Sequence, residues 1–153
     1  MQRRTRTSLT SIEQENLMDF EPYLFITGGK CEEALNFYKN IFGGEITQVM
    51  RWKDAPADMG LPAEMGERIM HSTFSSPSVK LMASDAQPTT QYGMGAISLS
   101  LGTKDLNEAK RVFDALSKGG KVEMPLEKSS WGAMFGMLSD KYGIDWMVNC
   151  DLK

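Results

Sequence analysis

Between Pro22 and Asp151 the apolar positions alternate between two rhythms, one with period two and one with period near 3.6. "PYLFITGG" is an aromatic and β-branched run closed by two glycines, which predicts a strand. In "CEEALNFYKNIFGG" the residues Ala34, Leu35, Tyr38, Ile41 and Phe42 share one helical stripe, so a helix is expected from about Cys31 to Phe42, stopped at Gly43-Gly44. Three strand candidates follow, "EITQVMRW", "RIMHSTF" and "VKLMASD", the last two joined by the turn-forming Ser75-Ser76-Pro77-Ser78. "AISLSLG" restarts the order. "DLNEAKRVFDALSKGG" repeats the helix, expected from about Leu106 to Lys118, with Glu108-Ala109 answering Glu33-Ala34 at an offset of 75 residues. "KVEMPLE", "WGAMFGML" and "IDWMVNC" complete the second set. The pattern predicts an α+β fold of two βαβββ modules, about 20–90 and 91–153, within a single domain at 20–153.

Residues 1–19 carry Arg3, Arg4 and Arg6 among serines and threonines and lack apolar periodicity, so they read as a flexible extension, with Met18 as a natural start behind a leader. The connection "KDAPADMGLPAEMG" over 53–66 is long for a compact domain; it suits a lid over a ligand, or apolar residues tucked against the sheet edge or a partner subunit.

Composition narrows the function. The chain of 153 residues is long enough to bury about two-thirds of its unfolded surface without cross-links. A net charge of −3 with scattered basic residues argues against nucleic acid and anionic membrane as partners, and no apolar run approaches the ~20 residues of a membrane span. Two cysteines without metal spacing, and no signal peptide, point to the reducing cytoplasm. Cys31 opens a helix, where the dipole favours a thiolate, yet a plain buried thiol fits as well. One histidine, His71, rules out a histidine-rich metal site and is the chain's best acid–base candidate, although a lone histidine also serves as a hydrogen-bonded structural residue.

The βαβββ repeat, "EEALNFYKNIFGGEI" after the first strand, and above all the W-G-x-x-F-G-x-L-x-D-x-x-G-x-x-W pattern of Trp131 to Trp146 resemble the vicinal oxygen chelate superfamily of glyoxalases, extradiol dioxygenases and bleomycin-resistance proteins. Within it the chain is most similar to the PhnB-like group, also labelled 3-demethylubiquinone methyltransferase-like. The resemblance covers Phe20 to about Asp151. It implies a homodimer of paired modules, with curved mixed sheets whose concave faces line a pocket.

The resemblance also implies metal ligands on the first and last strand of each module. Those positions fall on Tyr23 and Met82 in the first module, and on Ala96 or Ser98 and Met147 in the second. A phenol, two thioethers and a small side chain do not make the three hard or borderline donors that a catalytic metal requires, so no metal and no other cofactor is expected. The concave face then reads as an apolar, methionine- and aromatic-lined pocket of Tyr23, His71, Met82, Ser98, Trp131 and Met147. Trp131 suits either a ligand or a cap on the core; strand parity sends Trp146 to the helix side. No glycine-rich loop with a downstream acid is evident for a nucleoside methyl donor. Two function classes follow: a metal-free binder of a hydrophobic small molecule, or a non-metal enzyme using His71 and Tyr23 as acid and base.

Overall fold

The computed structural model describes residues 20–56, 63–87 and 97–152, with Thr10 and Met18. Apart from Thr10 and Met18, the flexible extension expected over 1–19 lies outside the described residues, as do Ala96 and the 57–62 part of the expected lid, with Met59 and Leu61. The first module comprises β1 (Tyr23–Ile26), α1 (Cys31–Phe42), β2 (Glu45–Arg51), β3 (Ile69–Ser75) and β4 (Lys80–Asp85); the second comprises β5 (Leu99–Thr103), α2 (Leu106–Ser117), β6 (Lys121–Lys128), β7 (Ala133–Ser139) and β8 (Asp145–Asp151). Each forms a four-stranded mixed sheet, ordered β1-β4-β3-β2 and β5-β8-β7-β6. The β1/β4 and β5/β8 pairs are parallel and the others antiparallel.

Both Gly-Gly stops arise from the same two constraints. Gly43 and Gly119 each have φ near +72°, which an L side chain resists. At Gly44 and Gly120 a Cβ would fall on the carbonyl oxygens of Ser75 and Ser139, so the start of β2 or β6 lies directly against the end of β3 or β7.

The helix starts differ. α2 is capped locally: Asp105 Oδ1 accepts from the N–H of Asn107 (3.0 Å) and Glu108 (3.2 Å). α1 has Lys30 at that position, with no side-chain cap. The carboxylate of Asp85, buried at the end of β4, does the work instead, accepting from Cys31 N–H at 2.9 Å and from Ile69 N–H at 2.7 Å.

One core unites the modules on the helix side. Cys31, Ala34, Leu35, Tyr38 and Ile41 of α1 and Ala109, Val112, Phe113 and Leu116 of α2 are buried in it, together with Trp146, Val148 and Cys150 of β8. At its centre lies Asp140, 3% exposed, whose Oδ2 accepts from Tyr38 Oη (2.7 Å) and Trp146 Nε1 (2.9 Å). Its Oδ1 accepts from the N–H of Tyr142 and Ile144. A buried carboxylate with four donors is satisfied, and here it ties a helix of the first module to the last hairpin of the second. Because the helices cover one face of each sheet, the other face is left open.

Candidate functional site

On the first sheet, Tyr23 and Phe25 alternate with buried Leu24 and Ile26, and His71 and Thr73 alternate with buried Ser72 and Phe74. The register lays out the open face in rows. Tyr23, Met82, Thr73 and Thr47 stand side by side across all four strands. One step along, Phe25 pairs with Ser84, and His71 pairs with Met50. Tyr23 Oη lies 3.1 Å from His71 Nδ1 across the diagonal, and the Tyr23 ring also contacts Phe25, with centroids 4.9 Å apart. The two residues expected as acid and base are thus hydrogen-bonded neighbours on the open face, and Met82 lies beside Tyr23.

Sequence reasoning missed the other polar pair on this face. β2 bulges between Thr47 and Met50, and Gln48 in the bulge has φ of 52°, the one positive value at a non-glycine among the described residues. Its Oε1 accepts from Thr73 Oγ1 at 3.3 Å. Nothing in a glutamine amid a strand pattern signals a left-handed backbone.

The second sheet repeats the layout with different chemistry. Ser100, Met147, Met137 and Met124 form the row matching Tyr23–Met82–Thr73–Thr47, and Gly102, Asn149, Phe135 and Glu127 form the next. Met147 therefore lies on the open face, as expected, but Ser98 does not stand opposite it. That place belongs to Ser100, because two residues separate β5 from α2 where four separate β1 from α1, and counting back from the helix falls two short. Ser98 lines a cavity of about 400 Å³ with Glu123, Met137, Ser139 and Asp145. Its Oγ is buried without a hydrogen-bond partner among the described residues, while Ser139 Oγ donates to Asp145 Oδ1. Trp131 is 58% exposed and meets Phe135 edge to face, so it stands at the margin of the open face and not over the core.

Cys31 is fully buried, and burial, then the nearby Asp85 carboxylate, push its thiol up to about 12. It is a core thiol with no reactive character. Met65, in the expected lid, is buried.

Neither group implied by the resemblance fits these residues. Tyr23, Met82, Ser100 and Met147 offer one phenol, one hydroxyl and two thioethers, and no group of three His, Cys, Asp or Glu side chains converges among the described residues. For a nucleoside methyl donor, Gly28 and Gly29 do sit between β1 and the start of α1, but Asp85 at the end of β4 is buried with both oxygens taken by backbone N–H groups, so it is not available to hold a ribose.

Residues 19–149 match the family described as 3-demethylubiquinone-9 3-methyltransferase. Protein YjdN of Escherichia coli (strain K12) is 29% identical over 86% of this chain and 95% of its own. Among solved structures, PA1353 from Pseudomonas aeruginosa is 39% identical with a TM-score of 0.76, over 88% of this chain and 98% of that one. The PhnB protein from Bacillus cereus is 30% identical with a TM-score of 0.72, over 87% and 99%. The fold extends to a member of the glyoxalase/bleomycin resistance protein/dioxygenase superfamily from Sphaerobacter thermophilus DSM 20745, 18% identical, with a TM-score of 0.50 over 88% and 98%. With the fold, the two open faces and a match over most of its length, the chain belongs to the 3-demethylubiquinone-9 3-methyltransferase family, to which the PhnB protein is similar, and it shares the fold of the glyoxalase/bleomycin-resistance proteins.

Proposed function

We propose that this protein holds a hydrophobic organic molecule against the open sheet faces without a metal, and that a second copy of the chain closes the pocket. The observation that carries this reading is the replacement of a hard ligand set by Tyr23, Met82, Ser100 and Met147 on faces otherwise lined by Phe25, Met50, Phe135 and Met137. Such a surface favours contact and shape over Lewis-acid activation. Phe25, Met50, Val122, Met124 and Trp131 are all exposed in the single chain, which supports burial against another copy. Metal analysis of dialysed protein, mass spectrometry of compounds released on denaturation and sedimentation at micromolar concentration test this together. Near-zero metal, an organic compound in the released fraction and a dimer are expected; a full equivalent of metal on these strands, or a monomer alone, overturns it.

The hydrogen bond between Tyr23 and His71 favours a second reading, a metal-free enzyme in which this pair moves a proton on the bound molecule. Turnover of the released compound, lost in His71→Gln, would establish it; binding without turnover leaves the protein a carrier or sequestering protein.

A further inference from the structure

The first open face carries two hydroxyl-to-acceptor pairs that point in the same sense. Tyr23 Oη lies 3.1 Å from His71 Nδ1. The phenol is the stronger acid and an unprotonated imidazole nitrogen the stronger base, so the hydroxyl donates, and the proton of the neutral ring stays on Nε2. Thr73 Oγ1 donates to Gln48 Oε1 at 3.3 Å, which leaves the Gln48 amide to face outward through its NH2 group. In both pairs the acceptor is consumed internally and an N–H is left to offer. His71 and Thr73 sit two residues apart on one strand, about 7 Å along β3. The positive φ of Gln48 costs about 1 kcal/mol or more and sets the amide on this face; strain of this kind collects at ligand sites. The two rows that hold the pairs carry no carboxylate, ammonium or guanidinium, and the next row on this face, Glu45, Ser75 and Lys80, carries one charge of each sign.

From this we infer that the first module selects a neutral ligand with an apolar body and two separated hydrogen-bond acceptors, such as two carbonyl or ether oxygens, with His71 Nε2–H meeting one and the Gln48 amide the other. Anions find no compensating charge within these two rows. This rests on the reading that the open face binds an organic molecule.

The probes are para-diacetylbenzene, which has an acceptor at each end, and para-diisopropenylbenzene, its shape analogue with none, titrated into the full chain while the amide and side-chain resonances of Tyr23, His71 and Thr73 are followed. The diacetyl compound should bind about tenfold tighter. Gln48→Gly, which keeps the left-handed backbone, and Thr73→Val, which frees the amide to turn its oxygen outward, should each reduce that preference about threefold. Equal affinities in the unaltered protein, or a preference untouched by both substitutions, overturn the inference and leave binding at the face standing. If neither probe shifts these resonances, the inference and the reading beneath it fail together.

Discussion

The two modules share one plan and have kept different chemistry on it. In the first, the open face is organised by hydrogen bonds, Tyr23 to His71 and Thr73 to Gln48; in the second, the matching row is Ser100 with Met147, Met137 and Met124. Directional groups fix the orientation of a ligand, whereas thioethers on flexible stems adapt to its shape. The helix starts diverge in the same manner: α1 depends on a buried carboxylate from a distant strand, α2 on an exposed aspartate of its own. A duplicated fold thus keeps its glycines and apolar stripes, which backbone geometry demands, while side chains not bound to that geometry drift toward separate tasks.

The largest effect that separates the modules should come from the helix caps. Asp85→Ala leaves two buried N–H groups unpaired and should lower the unfolding free energy by about 3 kcal/mol, whereas Asp105→Ala on the exposed cap should cost about 1 kcal/mol. Equal losses in urea denaturation would show that the remote cap is no more than an ordinary one. Next in size is a carboxylate placed on each face. Met147→Glu sets it among Met137 and Met124 with little to accept from, and should cost about 2 kcal/mol at neutral pH. Met82→Glu sets it between Tyr23 and Thr73, whose hydroxyls can turn to it only by releasing His71 and Gln48, and should cost somewhat less. A reversed order would mean that the first face is the drier one.

The smallest effect is a pH dependence that sets in first through a thiol of the first module. The unfolded chain ionises the Cys31 thiol from about pH 9, while the folded chain holds that proton until about 12, chiefly because the thiol is buried. Stability present in full below pH 9 is therefore lost as pH rises toward 12, by about 1 kcal/mol between pH 9 and 10. Cys31→Ala should flatten the curve in that interval, and an unchanged slope in thermal melts would trace the loss to other groups. Tyr142, raised to about 12 by burial and then by the Glu33 carboxylate, adds a similar decline that begins near its ordinary value of 10.

Local rules made the helices and strands legible. The stripe through Ala34, Leu35, Tyr38 and Ile41 gave α1 its observed limits, and the expected end of α2 differs from the observed Ser117 by one residue. The positions that the resemblance implies at Met82 and Met147 fall on open faces, and parity sent Trp146 to the core. What escaped depends on contacts between distant segments or on loop length. The Tyr23–His71 bond spans 48 residues, and the remote cap joins Asp85 to Cys31 across 54. The resemblance put Ala96 or Ser98 at the place opposite Met147 because the loop before α2 has no fixed length in the sequence, and a connection two residues shorter than that of the first module gives the place to Ser100.

The hydrogen bond from Tyr38 to Asp140 crosses 102 residues, and its consequence concerns how the chain is made. While the first module emerges from the ribosome, the phenol of Tyr38 and the rings of Phe37 and Phe42 on α1 have no Asp140, Tyr142 or Trp146 to meet. Contacts of such long separation form late and slow the folding of the whole, because the chain entropy is lost before they reward it. The nascent first half therefore spends its time as an aromatic-faced fragment that needs its twin, and a ribosome stalled before the last hairpin holds a substrate for chaperones and proteases.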